Sequence, residues 1–188
     1  MNLVIFGPPG AGKGTQSKFI ATKFNMYQLS TGEFLRKEMS KNTQIGKKIS
    51  TVINSGSLVS DQIVSDLIEK VISNNEYRSR IIFDGYPRNL NQAKNLENLL
   101  KKYDQKIDIV LKLSVSLETI KKRISERRTQ EKRPDDIEKI AIKRFETYEK
   151  STEPIIEYYK KLNLLKVVDG ERPIDQINNE ISDIISSI

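Results

Sequence analysis

Five short apolar runs are separated along the chain by longer stretches in which apolar residues recur at helical spacing. The runs cover residues 3–6, 27–29, 80–83, 107–113 and 164–168. Strands that alternate with helices are typical of a parallel sheet whose two faces are covered by helices. We therefore predict an α/β fold of three layers around a five-stranded parallel sheet.

The last helix is predicted by a glycine, a proline and a row of isoleucines. Gly170 ends the fifth run, and Pro173 is suited to open a helix. The isoleucines at helical spacing are Ile174, Ile177, Ile181, Ile184 and Ile188. This row predicts a face that is buried in the core.

Two stretches depart from the alternation of strands and helices. Residues 30–60 have helical patterns without a convincing strand, which predicts a small helical insertion able to move. Residues 129–136 form a highly charged segment that we interpret as a short loop between two helices. Such segments carry function when they lie above the carboxyl ends of the strands.

Composition restricts the chemistry that is available. The 188 residues suit one domain, contain no apolar stretch long enough to span a membrane, and start with a core strand rather than a signal peptide. Cysteine and histidine are both absent, which excludes a thiolate nucleophile, a histidine base and the usual zinc ligands. Lysine, arginine, aspartate, hydroxyls and a hard cation such as Mg²⁺ remain, and they suit phosphoryl transfer. A cytoplasmic location is the simplest interpretation.

The net charge of +7 is compatible with nucleic acid, an anionic surface or polyphosphate ligands. The lysines are scattered among polar helical residues, which is typical of solvated faces. There is no basic stripe with interleaved aromatic residues, so nucleic-acid binding is disfavoured.

A glycine-rich segment, residues 7–15, lies between the first predicted strand and the first predicted helix. Glycines allow successive N–H groups to point at one anion, the helix N-terminus adds partial positive charge, and Lys13 adds a full charge. The segment therefore predicts a binding loop for a nucleoside triphosphate. Gly14 follows Lys13 where most such loops have Ser or Thr, which disfavours a general ATPase or GTPase.

Further candidate residues follow the second and third runs. Asp84 ends the third run, where a carboxylate can hold hydrated Mg²⁺. Arg88 emerges from a rigid turn formed by Gly85, Tyr86 and Pro87, and can clamp a phosphate. After the second run, Ser30 is a candidate helix cap, and Arg36 is within reach of a second phosphate.

Two arginines occupy positions where helical periodicity predicts apolar residues. Arg127 extends one apolar helix face, and Arg144 lies within the next. The faces consist of Leu117, Ile120 and Ile124, and of Ile137, Ile140, Ala141 and Tyr148. Arginine rarely faces inward without a partner. Together with Arg88 and Arg133, these arginines predict a cage for polyphosphate charge.

Taken together, these motifs resemble the adenylate kinase family over essentially the whole chain. The residues that carry the resemblance are 7–16, 30–32, Arg36, 56–59, 84–88, Gln92, Arg123, Arg127, Arg133, 135–136, Arg144 and 168–170. Glycine after the loop lysine is a habit of this family. The resemblance implies reversible transfer of the γ-phosphoryl group of ATP to AMP, giving two ADP.

The resemblance also implies roles on the ATP side. The ATP phosphates are expected to bind Gly10, Ala11, Gly12, Lys13, Gly14 and Thr15, with Lys13 on the transferring group. Arg127 and the backbone near Arg172 are expected to flank the adenosine of ATP. Asp84 is expected to orient the water ligands of Mg²⁺, with Thr15 as a further candidate ligand.

On the AMP side, the resemblance implies a second set of residues. AMP is expected to be surrounded by Thr31, Ser57, Leu58, Val59, Gly85, Tyr86, Pro87 and Gln92. Gln92 would read the edge of the adenine, while Arg36 and Arg88 would hold the phosphate. The transferring group would be neutralised by Arg123, Arg133 and Arg144.

The resemblance divides one kinase domain, residues 1–188, into three parts. The core comprises residues 1–29, 60–125 and 137–188, the monophosphate-binding segment residues 30–59, and a short lid residues 126–136. Closure is expected to exclude water. Because the lid has no cysteines, a zinc site is excluded. Nothing in the sequence demands a partner chain, so we expect a monomer.

Three alternatives remain open at this point. The first is a UMP/CMP kinase with the same fold, although Gln92 followed by Ala93 favours adenine. The second is a nucleotide-dependent nucleic-acid-binding protein, and the third is an NTPase that needs no acceptor.

Overall fold

The sheet of the computed structural model, which describes residues 1–40, 43–55, 59–131 and 138–188, is parallel throughout. Its strands are β1 (Leu3–Phe6), β2 (Tyr27–Ser30), β3 (Ile81–Asp84), β4 (Ile109–Ser114) and β5 (Leu165–Asp169). They lie in the order β2-β3-β1-β4-β5. The five-stranded parallel sheet predicted from the apolar runs is thereby confirmed.

The helices fill the intervals between the strands. They are α1 (Lys13–Lys23), α2 (Thr31–Ser40), α3 (Gln44–Asn54), α4 (Asp61–Ile72), α5 (Leu90–Lys102), α6 (Leu117–Glu131), α7 (Glu138–Lys161) and α8 (Ile174–Ser186), with a short 3-10 helix over Asn75–Tyr77. None of the helices in the described ranges is long and apolar enough to cross a bilayer.

Successive residues of the central strand point to opposite faces of the sheet and explain the three layers. Leu3 and Ile5 pack into a core cluster that includes residues of α1 and α8. Val4 and Phe6 pack into the other cluster, which includes residues of α4, α5 and α7. Because both faces are buried, β1 appears in the sequence as an unbroken apolar run.

The predicted apolar face of α8 is partly wrong. Ile177 and Ile181 are buried, as predicted, and Ile185 is buried beside them. Ile174 and Ile188 are 58% and 64% exposed, because one begins the helix and the other follows its end. Leu117, which begins α6, is 37% exposed for the same reason.

The stretch between β2 and α4 has the helical character that was predicted. Its described residues form α2 and α3, and they contain no strand beyond Ser30. The prediction of a loop from residue 129 is wrong for residues 129–131, because α6 continues to Glu131. Residues 132–137 lie outside the described residues.

Strand order determines where a ligand can bind. The connection after β1 leads to β2 at one edge of the sheet, whereas the connection after β4 leads to β5 at the other edge. Neighbouring strands whose connections diverge in this way leave a crevice at their carboxyl ends. The glycine-rich segment follows β1 and therefore lies at this crevice.

Candidate active site

The glycine-rich segment forms a tight turn that ends at the N-terminus of α1. Gly10 and Gly12 have φ angles of 88° and 95°, a conformation that favours glycine. The Ala11 N–H donates to the Pro8 carbonyl oxygen at 3.0 Å, and Lys13 begins the helix. The first N–H groups of a helix have no acceptor within it, so this turn presents amide donors and positive dipole to an anion.

Lys13 is held on its own loop and lies in a positively charged environment. Its Nζ donates to the carbonyl oxygens of Gly7 at 2.7 Å and Pro8 at 3.1 Å. Burial lowers the pKa of Lys13 to about 8, nearby Asp84 acts in the opposite direction, and the charges of Arg88, Arg144 and Arg127 lower it further. An anionic ligand would relieve this repulsion.

Asp84 supplies a buried carboxylate at the carboxyl end of β3. It is 7% exposed, and its Oδ2 accepts a hydrogen bond from Gln28 Nε2 at 3.1 Å. Gln28 was missed in the sequence, because only the pairing of β2 with β3 brings it to Asp84. A polar residue within a short predicted strand was the available signal.

The donor set at this position fits Mg²⁺. No group of three or more acidic side chains suited to a metal occurs among the residues that the structure describes. Mg²⁺ usually keeps several waters and takes one or two carboxylates, with substrate phosphates as further ligands. One buried Asp84 beside a phosphate-binding loop satisfies that requirement, and Thr15 is exposed on the first turn of α1.

The turn after β3 fixes Arg88. The Arg88 Nε donates to the Gly85 carbonyl oxygen at 2.7 Å, and Thr31 Oγ1 donates to the same oxygen at 3.0 Å. The Tyr86–Pro87 peptide bond is cis. Burial, together with the charge of Arg144, lowers the pKa of Arg88 to about 10. The guanidinium therefore lies at a desolvated position that favours anion binding.

Arg36 reaches the same space from α2. A Cβ atom at Gly32 would lie 3.3 Å from Arg36 Nη1, so the absence of a side chain there leaves room for the guanidinium. The charge of Arg36 also contributes to the lowered pKa of Arg88. Two arginines from separate elements thus face one anion-binding position.

Gln92 lies beside Arg88 and is buried. Its Oε1 accepts from the Arg88 backbone N–H at 2.7 Å, and its Nε2 donates to Asp61 Oδ1 at 2.6 Å. Asp61 was missed in the sequence. A carboxylate in the first turn of a helix is common, because it interacts favourably with the helix dipole. Nothing in the sequence pattern distinguishes it from such a residue.

One cleft connects many of the predicted residues. It is lined by Lys13, Thr31, Arg36, Val59, Gly85, Tyr86, Pro87, Arg88, Gln92 and Arg144. Apolar residues that include Leu35, Ile53 and Val64 complete its wall. Hydroxyl residues of α7, among them Thr147 and Ser151, also line it and were missed in the sequence, where they belong to no motif.

Three further predicted arginines lie on the side of the glycine-rich loop. Arg123 donates from Nη2 to the Gly170 carbonyl oxygen at 2.8 Å and from Nη1 to the Ala11 carbonyl oxygen at 3.4 Å. Arg127 is close enough for its charge to lower the pKa of Lys13. The side chain of Arg172 forms an ion pair with Glu180, whereas the predicted contact with adenosine was assigned to the backbone near this residue.

Three predicted site residues, Ser57, Leu58 and Arg133, lie outside the described residues.

The predicted site residues that the structure describes define a class of protein. A glycine-rich loop at a helix N-terminus, next to a second arginine-lined position, is typical of a P-loop kinase with two phosphate-binding sites.

Comparison with known proteins identifies the family. The adenylate kinase family model matches residues 5–164. The chain is 43% identical over 211 residues to the adenylate kinase of Pelagibacter ubique (strain HTCC1062), with 98% of this chain and 99% of the relative covered. It is 38% identical over 188 residues to the adenylate kinase of Caulobacter sp. (strain K31), with both chains covered completely. The chain therefore belongs to the adenylate kinase family.

A more distant relative leads to the same family. The adenylate kinase of Archaeoglobus fulgidus is 35% identical over 215 residues, with 100% of this chain and 99% of the relative covered. These matches confirm the resemblance stated from the sequence motifs. They do not favour the pyrimidine-directed alternative, because each of these relatives is named an adenylate kinase.

Proposed function

We propose that this chain catalyses the reversible transfer of the γ-phosphoryl group of MgATP to AMP, giving two ADP. The observation that carries the proposal is that Lys13, Arg88 and Arg144 line one cleft, where the charges of both arginines lower the pKa of Lys13. A triphosphate on the loop and a monophosphate at Arg88 would meet there. Membership of the adenylate kinase family supports the same activity.

ATP is assigned to the loop side of this region. Gly10, Ala11, Gly12, Gly14 and Thr15 would surround its phosphates, and Lys13 would contact the transferring group. Arg127 and the backbone at Arg172 would flank its adenosine. Arg123 is tied to the Ala11 and Gly170 carbonyl oxygens, so it is suited to hold the loop and to add positive charge beside it.

AMP is assigned to the cleft between α2 and the turn after β3. Its phosphate would bind Arg36 and Arg88, which approach from separate elements. Its base would contact Gln92, Thr31, Val59 and the turn formed by residues 85–87, with Ser57 and Leu58 as further predicted contacts. The apolar wall of the cleft suits a planar base, and its buried amide suits the base edge.

Phosphoryl transfer requires positioning and charge more than covalent chemistry. Arg88 and Arg144 would stabilise negative charge that develops between the two nucleotides, and Arg133 is predicted to join them. When bound, Mg²⁺ supplies charge neutralisation at the phosphate oxygens, and Asp84 would orient its water ligands. Closure over the cleft would limit the access of water to the transferring group.

The division of the chain into moving parts follows the same roles. We infer a core of residues 1–29, 60–125 and 137–188, a monophosphate-binding segment of residues 30–59 and a short lid of residues 126–136. Residues 126–131 belong to the end of α6, so the lid would begin as a helix. A monomeric state, a cytoplasmic location and the absence of nucleic-acid and membrane binding stay predictions.

The assignment of AMP is tested by replacing Gln92 with leucine, which has a similar size but no amide. The KM for AMP should rise by about tenfold or more, because the acceptor base loses its hydrogen bonds to the amide. The KM for ATP should stay unchanged, because the protein groups that also lose a bond, the Arg88 N–H and Asp61, lie on the acceptor side. An unchanged KM for AMP would remove the reason for placing adenine at Gln92.

A further inference from the structure

The side-chain amide of Gln92 lies between one group that can only donate a hydrogen bond and one that can only accept. The Arg88 backbone N–H can only donate, and it lies 2.7 Å from Gln92 Oε1. The Asp61 carboxylate, when ionised, can only accept, and its Oδ1 lies 2.6 Å from Gln92 Nε2. A 180° rotation of the amide would oppose donor to donor and acceptor to acceptor. The orientation of the amide is therefore determined from both sides.

Asn89 in turn holds Asp61. Its Nδ2 lies 3.3 Å from Asp61 Oδ1 and 3.4 Å from Oδ2, while its Oδ1 accepts from the Gln92 backbone N–H at 2.8 Å. Asn89 is the N-cap residue of α5, and Asp61 begins α4. The network thus connects the helix that follows the monophosphate-binding segment to the helix that carries Gln92.

The Gln92 amide, fixed in this way, can still accept one hydrogen bond and donate one to a ligand. Oε1 of Gln92 retains a second lone pair, and Nε2 retains a second hydrogen. The base edge of adenine offers an N6–H donor next to the N1 acceptor, which is the complementary order. Hypoxanthine offers an O6 acceptor next to an N1–H donor, which is the reverse order. A locked amide therefore accepts the first base and opposes the second.

We infer that Asp61 is a positioning residue that selects AMP by fixing the orientation of the Gln92 amide. This inference rests on the proposed role of Gln92 in reading adenine. Asp61 acts through Gln92, so its effect is confined to the acceptor base and does not extend to ATP or to the transfer step.

The test compares steady-state kinetics for AMP, inosine monophosphate and ATP in two variants. Asp61→Ala removes the acceptor, and we expect the KM for AMP to rise about tenfold while kcat and the KM for ATP stay unchanged. Asp61→Asn retains an acceptor oxygen and should restore the KM for AMP. Its amide can also donate, so it removes one of the two constraints on the Gln92 amide and leaves only that of the Arg88 N–H. It should therefore lower the preference for AMP over inosine monophosphate.

The matched control is Asp66→Ala. Asp66 Oδ1 accepts from Gln62 Nε2 at 2.7 Å on the same helix, so the control removes a similar pair from an exposed face. We expect all three kinetic parameters to remain those of the unmodified chain. Thermal unfolding of each variant shows whether helix α4 is retained.

The outcomes separate this inference from the proposed function. If Gln92→Leu raises the KM for AMP and Asp61→Ala does not, the role of Asp61 is wrong while the adenine site stands. If Gln92→Leu leaves the KM for AMP unchanged, the proposed adenine site itself is wrong. A parallel rise of both KM values in Asp61→Ala, with a lowered melting temperature, would assign Asp61 a structural role and contradict the inference.

Discussion

The Lys13 ammonium donates a hydrogen bond to the carbonyl oxygen of Gly7 at 2.7 Å, within the loop that carries both residues. A second bond, to the Pro8 carbonyl oxygen at 3.1 Å, holds the ammonium from the same side. Both acceptors are neutral, so they orient the lysine without cancelling its charge. The ammonium is therefore positioned in advance for phosphate oxygens at the N-terminus of α1.

Replacement of Lys13 by methionine should lower kcat by a factor of about 10² to 10³, because it removes the group that we propose contacts the transferring phosphoryl. The protein should stay folded, since the substitution keeps most of the aliphatic stem and removes a charge that desolvation disfavours. Steady-state rates combined with thermal unfolding measure both effects. A kcat near that of the unmodified chain would contradict the role assigned to Lys13.

The lowered pKa of Lys13, about 8, predicts a pH dependence. The value of kcat/KM for ATP reports groups of the free enzyme, so it should fall as the pH rises through about 8 and the ammonium loses its proton. Bound triphosphate stabilises the ammonium, so kcat should fall only at higher pH. A kcat/KM for ATP that stays constant from pH 7 to 9.5 would contradict this expectation.

The same pKa affects stability with a defined sign. The folded chain releases the Lys13 proton near pH 8, whereas the unfolded chain retains it up to about 10.5. The unfolded state therefore binds more protons than the folded state between these values. The contribution of Lys13 to the free energy of unfolding consequently increases as the pH rises from about 8 to about 10.5. Chemical denaturation from pH 7 to 10 should show this gain in the unmodified chain and not in Lys13→Met.

Replacement of Arg88 by lysine keeps a positive charge but loses the planar fork and the bond from Nε to the Gly85 carbonyl oxygen. We expect kcat to fall by about 10²-fold and the KM for AMP to rise. The matched control is Arg80→Lys, because the Arg80 guanidinium, like that of Arg88, donates to main-chain carbonyl oxygens but lies before β3, outside the cleft. Equal losses in both variants would mean that the effect at Arg88 is not specific to the site.

Replacement of Gly85 by alanine should destabilise the turn by about 1–3 kcal/mol. Gly85 has a φ angle of 82°, and an added Cβ would lie 2.9 Å from Thr31 Oγ1 and 3.3 Å from Arg88 Nη2. Displacement of Arg88 should also raise the KM for AMP. Gly14→Ala is the control for stability, because nothing lies within 4 Å of a Cβ there. Denaturation curves that coincide for Gly85→Ala and the unmodified chain would contradict the predicted clash.

The architecture could be predicted because parallel strands that are buried on both faces leave continuous apolar runs. The ends of these strands were predicted less accurately than the strands themselves. Arg80 was placed in the third strand, but β3 begins at Ile81. The Arg80 guanidinium donates to the carbonyl oxygens of Asn25 and Glu76, which holds the residue in the turn before the strand.

Part of the site could also be predicted, because its signals are local. The glycine-rich loop is contiguous in the chain, and Arg144 interrupts an otherwise apolar helix face. Pairs such as Gln28 with Asp84 were not predictable, because they depend on which strands are neighbours. Gln92 and Asp61 meet only through the relative placement of α4 and α5, which periodicity does not determine.

The central claim is that one cleft brings ATP and AMP together for transfer. The most direct measurement is diphosphate formation by the purified protein with MgATP and each of AMP, UMP, CMP or no acceptor. We predict rapid formation of ADP with AMP and little turnover in the other three mixtures. Preference for UMP or CMP, or hydrolysis of ATP without any acceptor, would contradict the account.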